Sequence, residues 1–147
     1  MDGDKIRVED QPSDEDVRTL IRNLVHYNDS QAEKENWQPL VIFVRDDQGQ
    51  IVGGLNGYTH WGWLFIQHLW VAETRRGKEY GRELMQQAEQ EALKRGCRHA
   101  HLDTFSFQAL GFYQKLGYQI FGVLEDYPAG HTRYFLQKRN LEVPHRG

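Results

Sequence analysis

The chain has 147 residues, of which 39% are hydrophobic, 27% charged and 12% aromatic, with a formal net charge of −3 and a single cysteine. That length suits one domain with a core of its own, and the composition is that of an ordinary water-soluble fold. It excludes a helix that spans a membrane, because no apolar run approaches the ~20 residues required, and a nucleic-acid-tracking surface, because the positive charges gather at residues 75–82 instead of lining a face.

In chain order, Met1 to Lys5 is polar and acidic, which predicts no secretory leader. Ile6-Arg7-Val8 reads as a first edge strand. Ser13, with Asp16 three residues on, predicts the N-cap of a helix through Val17, Leu20, Ile21, Leu24 and Val25. The polar segment Tyr27 to Pro39 is expected to hold a second short helix. Leu40–Arg45 and Ile51–Thr59 are strands joined by Asp46-Asp47-Gln48-Gly49, and Trp61-Gly62 turns the chain into a third hairpin strand, Trp63–Val71. From Gly81 to about Arg95, Leu84, Met85, Ala88, Ala92 and Leu93 mark one side of a helix, with Gly96 as its C-cap. Then come a strand at His99–Asp103, a helix at Gln108–Leu116 stopped by Gly117, a strand at Tyr118–Leu124, a loop at Pro128-Ala129-Gly130 and a strand at Thr132–Lys138. Asn140 to Gly147 is expected to fray. This order gives an α/β (α+β) fold with a mixed, mostly antiparallel central sheet and helices on both faces.

Cys97 has no partner for an internal disulfide, which suits a reducing, cytoplasmic setting. His99 and His101 share a strand face but lack a third ligand nearby in sequence, so no metal site is expected.

The segment Leu69 to Met85 is the most informative. A buried-strand pattern ends at Val71, a turn rich in Arg and Gly follows, and a helix opens at Gly81. The first amides of a helix lack internal partners and sit at the positive end of its dipole. Glycines let a backbone approach a phosphate, and successive turn amides make a nest for it. Arg75, Arg76, Lys78 and Arg82 add positive charge. The ligand this predicts is a phosphate or pyrophosphate.

Arg76-Gly77-Lys78-Glu79-Tyr80-Gly81 resembles the acyl-CoA pyrophosphate arm, Arg/Gln-x-x-Gly-x-Gly/Ala, of the GCN5-related N-acetyltransferase (GNAT) family, with Glu79 where the first glycine belongs. Ala109-Leu110-Gly111-Phe112-Tyr113-Gln114-Lys115-Leu116-Gly117-Tyr118 is similar to that family's late helix. The resemblance covers roughly residues 40–138. It implies a single N-acetyltransferase domain over 1–140, followed by a frayed tail at 141–147, and a wedge where the family's fourth and fifth strands, here Trp63–Val71 and His99–Asp103, splay apart around the pantetheine arm. It implies that acetyl-CoA is the cosubstrate and is held by Leu69, Val71, Arg76, Gly77, Lys78, Glu79, Tyr80, Gly81, Arg82 and Ser106. The amides near Leu69 and Val71 would polarise the thioester carbonyl. Tyr113 would be the general acid to the departing thiolate. Both that residue and Ser106 have structural readings too, Tyr113 as a core aromatic beside Phe112 and Ser106 as an N-cap for the helix near Gln108.

For the general base the sequence leaves several candidates: His68, read by strand alternation as sharing a face with Ile66 and Trp70, as well as Asp103, His60, Glu73 and a water-mediated route. Trp61 and Trp63 read as hydrophobic cover, a homodimer contact or an aromatic wall for a cation. The expected reaction is direct attack of a primary amine on acetyl-CoA in a ternary complex. The alternatives are a non-catalytic acyl-CoA-binding module, suggested by Glu79, and an acetyltransferase with a protein or other macromolecular acceptor. The acids of Tyr27 to Pro39 and of Glu125 to His131, beside Tyr127, favour a small cationic amine.

Overall fold

The computed structural model describes residues 3–142, which fall into two units divided between Glu35 and Asn36. In the first unit, α1 spans Asp14–Gln31. Ser13 caps it as expected, its hydroxyl accepting the Asp16 N–H at 3.0 Å, and Asp14, Glu15 and Asp16 complement the positive end of the helix. No Pro or Gly interrupts the chain after Val25, so α1 continues to Gln31 and absorbs the start of the 27–39 segment. The expected second helix is absent there, and residues 32–37 are irregular. Ile6-Arg7-Val8 forms no strand, and Ile6 and Val8 are exposed. Three residues with charged neighbours on both sides lack the apolar run that would hold them in a ladder.

The second unit contains β1 (Gln38–Arg45), β2 (Ile51–His60), β3 (Trp63–Val71), α2 (Tyr80–Lys94), β4 (His99–Phe105), α3 (Leu110–Lys115), β5 (Gln119–Glu125) and β6 (Thr132–Lys138). The sheet runs β1-β2-β3-β4-β6-β5, and only the β3–β4 joint is parallel. Hairpins make antiparallel joints, whereas the crossover through α2 returns the chain in the same direction. Both tight turns are chemically encoded. Asp46 Oδ1 accepts the amides of Gln48 and Gln50, each at 2.9 Å. Trp61 and Gly62, at φ +46° and +78°, make the two-residue turn with both central residues left-handed that matches strand twist.

One sheet face and α2 make the core. Leu40, Leu55, Leu64, Ile66, Ala100, Leu102 and Leu136 meet Leu84, Met85, Ala88 and Ala92, all buried. Arg95 ties the end of α2 to the sheet, donating to the carbonyl of Pro39 and the hydroxyl of Thr59, each at 3.1 Å, and to Glu91 at 3.0 Å. Cys97 lies inside this core, where burial pushes its thiol up against the opposing pull of Arg95. The opposite face carries half-buried polar and aromatic groups: Tyr58, His60, Trp63, Phe65, His99, His101 and Asp103. Burial, and then the charge of His60, lower the pKa of His101, against the opposing effect of Asp103. Among the described residues, no helix is long and apolar enough to cross a membrane.

The chain end is better held than its composition suggests. Leu141 is buried and its N–H donates to the Arg98 carbonyl at 2.7 Å, so fraying does not begin at Asn140. Residues 143–147 lie outside the described set.

A half-buried polar network joins α2 to Tyr118, between α3 and β5, and to β6. The Tyr118 hydroxyl donates to Glu89 Oε2 at 2.8 Å, and Lys138 Nζ reaches Glu89 Oε1 at 2.9 Å. Removing the phenol hydroxyl leaves a half-buried carboxylate short of a donor. We expect Tyr118→Phe to cost about 1–3 kcal/mol in urea unfolding; a loss below about 0.5 kcal/mol would show that Lys138 alone satisfies Glu89. Burial and Glu89 hold the Tyr118 pKa well above its ordinary value. A phenol that ionises later when folded stabilises fully below the unfolded value of 10.0, and this contribution is lost as the pH rises above it.

Candidate active site

The sheet opens in its middle. β3 and β4 pair only from Trp63 to Ile66 against His99 to Leu102. Beyond Ile66 the two strands separate, while Asp103, Thr104 and Phe105 continue to pair with β6. The cause is a bulge in β3. Gly57 pairs with Ile66 and Asn56 with His68, leaving Gln67 as the extra residue. Gly57 makes this possible, since its neighbouring backbone is the carbonyl of Phe65 at a distance no Cβ could share.

The bulge also corrects the strand alternation read from sequence. Ile66 faces the core with Gly57, whereas His68 lies across the sheet with Asn56, on the same side as Trp70. Past the bulge the Ala72 N–H donates to the Val52 carbonyl at 2.8 Å. By the two-residue period of a strand, the amides of Leu69 and Val71 point the other way, toward the opening. Unpaired strand amides are costly without a partner, so this edge is suited to a ligand that adds to it as a strand would.

At the end of β3 a 3₁₀ turn, Glu73–Arg75, leads to α2. Among the described residues, no amide from 77 to 82 donates to a backbone carbonyl; the first such donor is Glu83, to the Glu79 carbonyl at 3.0 Å. Gly77 and Glu79 are both left-handed, at φ +81° and +64°. A left-handed residue followed by a helix start turns successive N–H groups to one side, which is an anion nest. Gly81 sits close to α3: a Cβ there would meet the Phe112 ring at 3.3 Å, and the ring would have to yield slightly. The Arg76 Nε donates to the Val71 carbonyl at 3.3 Å, folding the side chain along the strand end. Arg82 lies 3.9 Å from Glu79, and both are exposed. These groups fit a pyrophosphate.

Glu79 is thus a non-glycine side chain in a conformation that favours glycine, carrying a negative charge beside the nest. We expect Glu79→Gly to tighten coenzyme A binding about tenfold, from release of strain, lost repulsion and freeing of Arg82. Calorimetric titration checks this, and weaker binding would give the carboxylate a positive role.

Tyr113 lies in α3, 8% exposed, its ring edge-on to Phe112 and Tyr118. Burial, and secondarily the charge of Asp103, push its pKa up to about 12. A thiol ionises near 8.5, so complete proton transfer to a thiolate is uphill by roughly three orders of magnitude. The phenol stays protonated at any working pH and suits hydrogen-bond donation to a developing thiolate, with the proton reaching sulfur later from solvent.

The Ser106 cap is a correction. Helix α3 begins at Leu110 with Ala109 at its N-cap position, and no side chain caps it. Gln108 instead reaches back, its Oε1 accepting from Phe105 N–H at 2.9 Å and from the Thr104 hydroxyl at 3.2 Å. Ser106 Oγ accepts the Thr132 N–H at 3.1 Å and lies 3.3 Å from His131 Nδ1. The serine ties the 125–131 loop to the open end of β4.

Among the base candidates, Asp103 is committed to Arg133, with contacts of 2.8 and 2.9 Å. Arg133 in turn lies over the rings of Tyr127, Phe135 and Phe105 at 4.8, 5.0 and 5.3 Å. Tyr127, read from sequence beside Glu125 and Asp126 as favouring a cationic acceptor, has the chain's own Arg133 guanidinium over its ring. His60 stacks beside Tyr58 and Trp61, away from the bulge, and Glu73 is exposed in the 3₁₀ turn. His68 is exposed past the bulge, on the opening's strand, and is the histidine the geometry places there. Trp63 packs against His99 and His101 and under Arg139.

A family model described as the acetyltransferase (GNAT) family matches residues 9–118. The chain is 37% identical over 128 residues to the acetyltransferase Atu2258 of Agrobacterium fabrum, covering 86% of this chain and 93% of that one. It is 40% identical over 105 residues to the blasticidin-S acetyltransferase of Streptomyces morookaense, covering 69% and 77%. A solved acetyltransferase from Agrobacterium tumefaciens superposes with a TM-score of 0.86 at 34% identity, covering 92% of this chain and 98% of that one.

Proposed function

The chain belongs to the GNAT acetyltransferase family and is an acyl-CoA-dependent acetyltransferase; from that premise we propose that it moves the acetyl group of acetyl-CoA to the amine of a small cationic acceptor, by direct attack within a ternary complex. The observation that carries this reading is the opening between β3 and β4, with an anion nest after β3 on one side of its mouth and exposed Glu125 and Asp126 on the loop beside the open end of β4.

Each part has a chemical task. The nest of residues 77–82 holds the pyrophosphate, with Arg76, Lys78 and Arg82 supplying charge. The amides of Leu69 and Val71 hold the pantetheine arm and polarise the thioester carbonyl. Binding both reactants to one rigid strand supplies orientation. Tyr113 donates a hydrogen bond to the sulfur as the carbon–sulfur bond breaks. A likeness to the blasticidin-S acetyltransferase supports a small-molecule acceptor over a protein one.

A panel of amines, assayed by release of the coenzyme A thiol, tests this. Cationic acceptors should be preferred, and their kcat/KM should fall as salt rises, because attraction to exposed carboxylates is screened. Preference for neutral or anionic amines would overturn the cationic assignment, and preference for a peptide or protein amine would overturn the small-molecule one.

A further inference from the structure

The bulge in β3 places Asn56 opposite His68, and Asn56 Nδ2 lies 3.2 Å from His68 Nδ1. Directly opposed residues of an antiparallel pair are held with their Cβ atoms about 4.5–5.5 Å apart, so the backbone brings the two side chains within reach of each other. An imidazole nitrogen that accepts an amide N–H carries the lone pair, and the neutral ring then carries its proton on the other nitrogen. The pairing thereby decides what His68 offers to a ligand.

We infer that Asn56 is a positioning residue that holds neutral His68 as the Nε2–H tautomer, making it a hydrogen-bond donor to the acceptor substrate and not its general base. The inference rests on the acetyl-transfer reading of the β3–β4 opening. In this arrangement the Nδ1 lone pair is engaged by the Asn56 amide and Nε2 has no lone pair to take a proton. Neutral His68 therefore cannot deprotonate an ammonium group. The acceptor must arrive as the free amine, its proton having gone to solvent, while Nε2–H binds a lone pair of the acceptor other than that of the attacking nitrogen. Without the bulge the same histidine would point into the core with Ile66 and Gly57. The sheet irregularity that opens the cofactor site also delivers this side chain to its partner.

The test uses the full chain, with histidine-selective ¹⁵N spectroscopy beside steady-state kinetics. The wild type should show His68 protonated on Nε2. Asn56→Asp replaces the amide donor with a carboxylate that accepts from Nδ1–H, so the tautomer should invert, and kcat/KM for the acceptor should fall about tenfold with KM for acetyl-CoA unchanged. Asn56→Ala should leave a tautomer mixture, and His68→Ala should lose about as much acceptor kcat/KM as Asn56→Asp. A wild-type Nδ1–H signal would overturn the pairing while leaving the acetyl-transfer site intact. The expected tautomer together with unchanged kinetics in both Asn56→Asp and His68→Ala would overturn the placement of the acceptor at this strand, and with it the positioning role.

Discussion

Replacing Gly57 with alanine should lower the unfolding free energy by at least about 3 kcal/mol and remove measurable coenzyme A binding from the protein that still folds. An added methyl group would fall within the van der Waals envelope of the Phe65 carbonyl oxygen and close to the Ile66 backbone. Both neighbours are main-chain atoms in the buried middle of the sheet, so neither can swing aside as a side chain would. Relief requires β2 and β3 to move apart or to pair without the extra residue Gln67. Either change carries Leu69, Val71 and His68 away from their present faces. Gly111→Ala is the control. It lies in α3 with open space around its Cβ position, so alanine there should be neutral or slightly stabilising. Urea unfolding and calorimetric titration with coenzyme A read both variants. If Gly57→Ala unfolds and binds like the wild type, the bulge is held by something other than this close approach.

The second large effect belongs to Tyr113. Replacing it with phenylalanine keeps the buried ring and its edge contacts to Phe112 and Tyr118 and removes only the hydroxyl. If the phenol donates to the developing thiolate, kcat should fall about 10²-fold, the usual effect of losing one donor to transition-state charge. KM for acetyl-CoA should stay within about twofold, since the sulfur carries that charge only as the bond breaks. The pH profile distinguishes donation from full proton transfer. With a pKa near 12 the phenol is protonated across the whole assay range, so the wild-type rate should show no alkaline limb from Tyr113. A drop in wild-type kcat near pH 9 that vanishes in Tyr113→Phe would mean the group ionises far more readily than its burial allows. An unchanged kcat would leave Tyr113 a packing residue.

Much of this architecture is legible in the amino-acid order, because periodicity and turn chemistry agree there. Trp63–Val71 and Thr132–Lys138 occur with the boundaries the pattern predicts, and α2 begins one residue before Gly81. The turn between β3 and α2 is legible for a similar reason, since its glycine and basic residues are contiguous. What escapes the sequence is non-local. Gln67 looks like any strand residue, and simple alternation therefore puts His68 on the wrong face. A signal was present in Gly57, a glycine inside an apolar strand, which marks a bulge or a close backbone approach. Ser106 is a good capping residue by type, yet Gln108 captures the turn first and frees it for Thr132. Tyr127 beside Glu125 and Asp126 suggests a cation site, and only the fold reveals that Arg133, paired with the sequence-remote Asp103, lies over its ring.

The short parallel joint also bears on how the molecule holds together. Four residue pairs link β1–β3 to β4–β6, so strand pairing couples the two halves of the sheet only weakly. Under native-state hydrogen exchange they should behave as separate cooperative blocks, with the amides of Leu69 and Val71 exchanging among the fastest in the sheet. A cosubstrate laid into the opening is then also a seventh strand. It bridges the blocks, slows those amides and raises the melting temperature in proportion to the logarithm of its concentration, by about 2.7 kcal/mol of stability at a hundredfold excess over Kd. If acetyl-CoA binds there as proposed, its supply bears on stability as well as on rate.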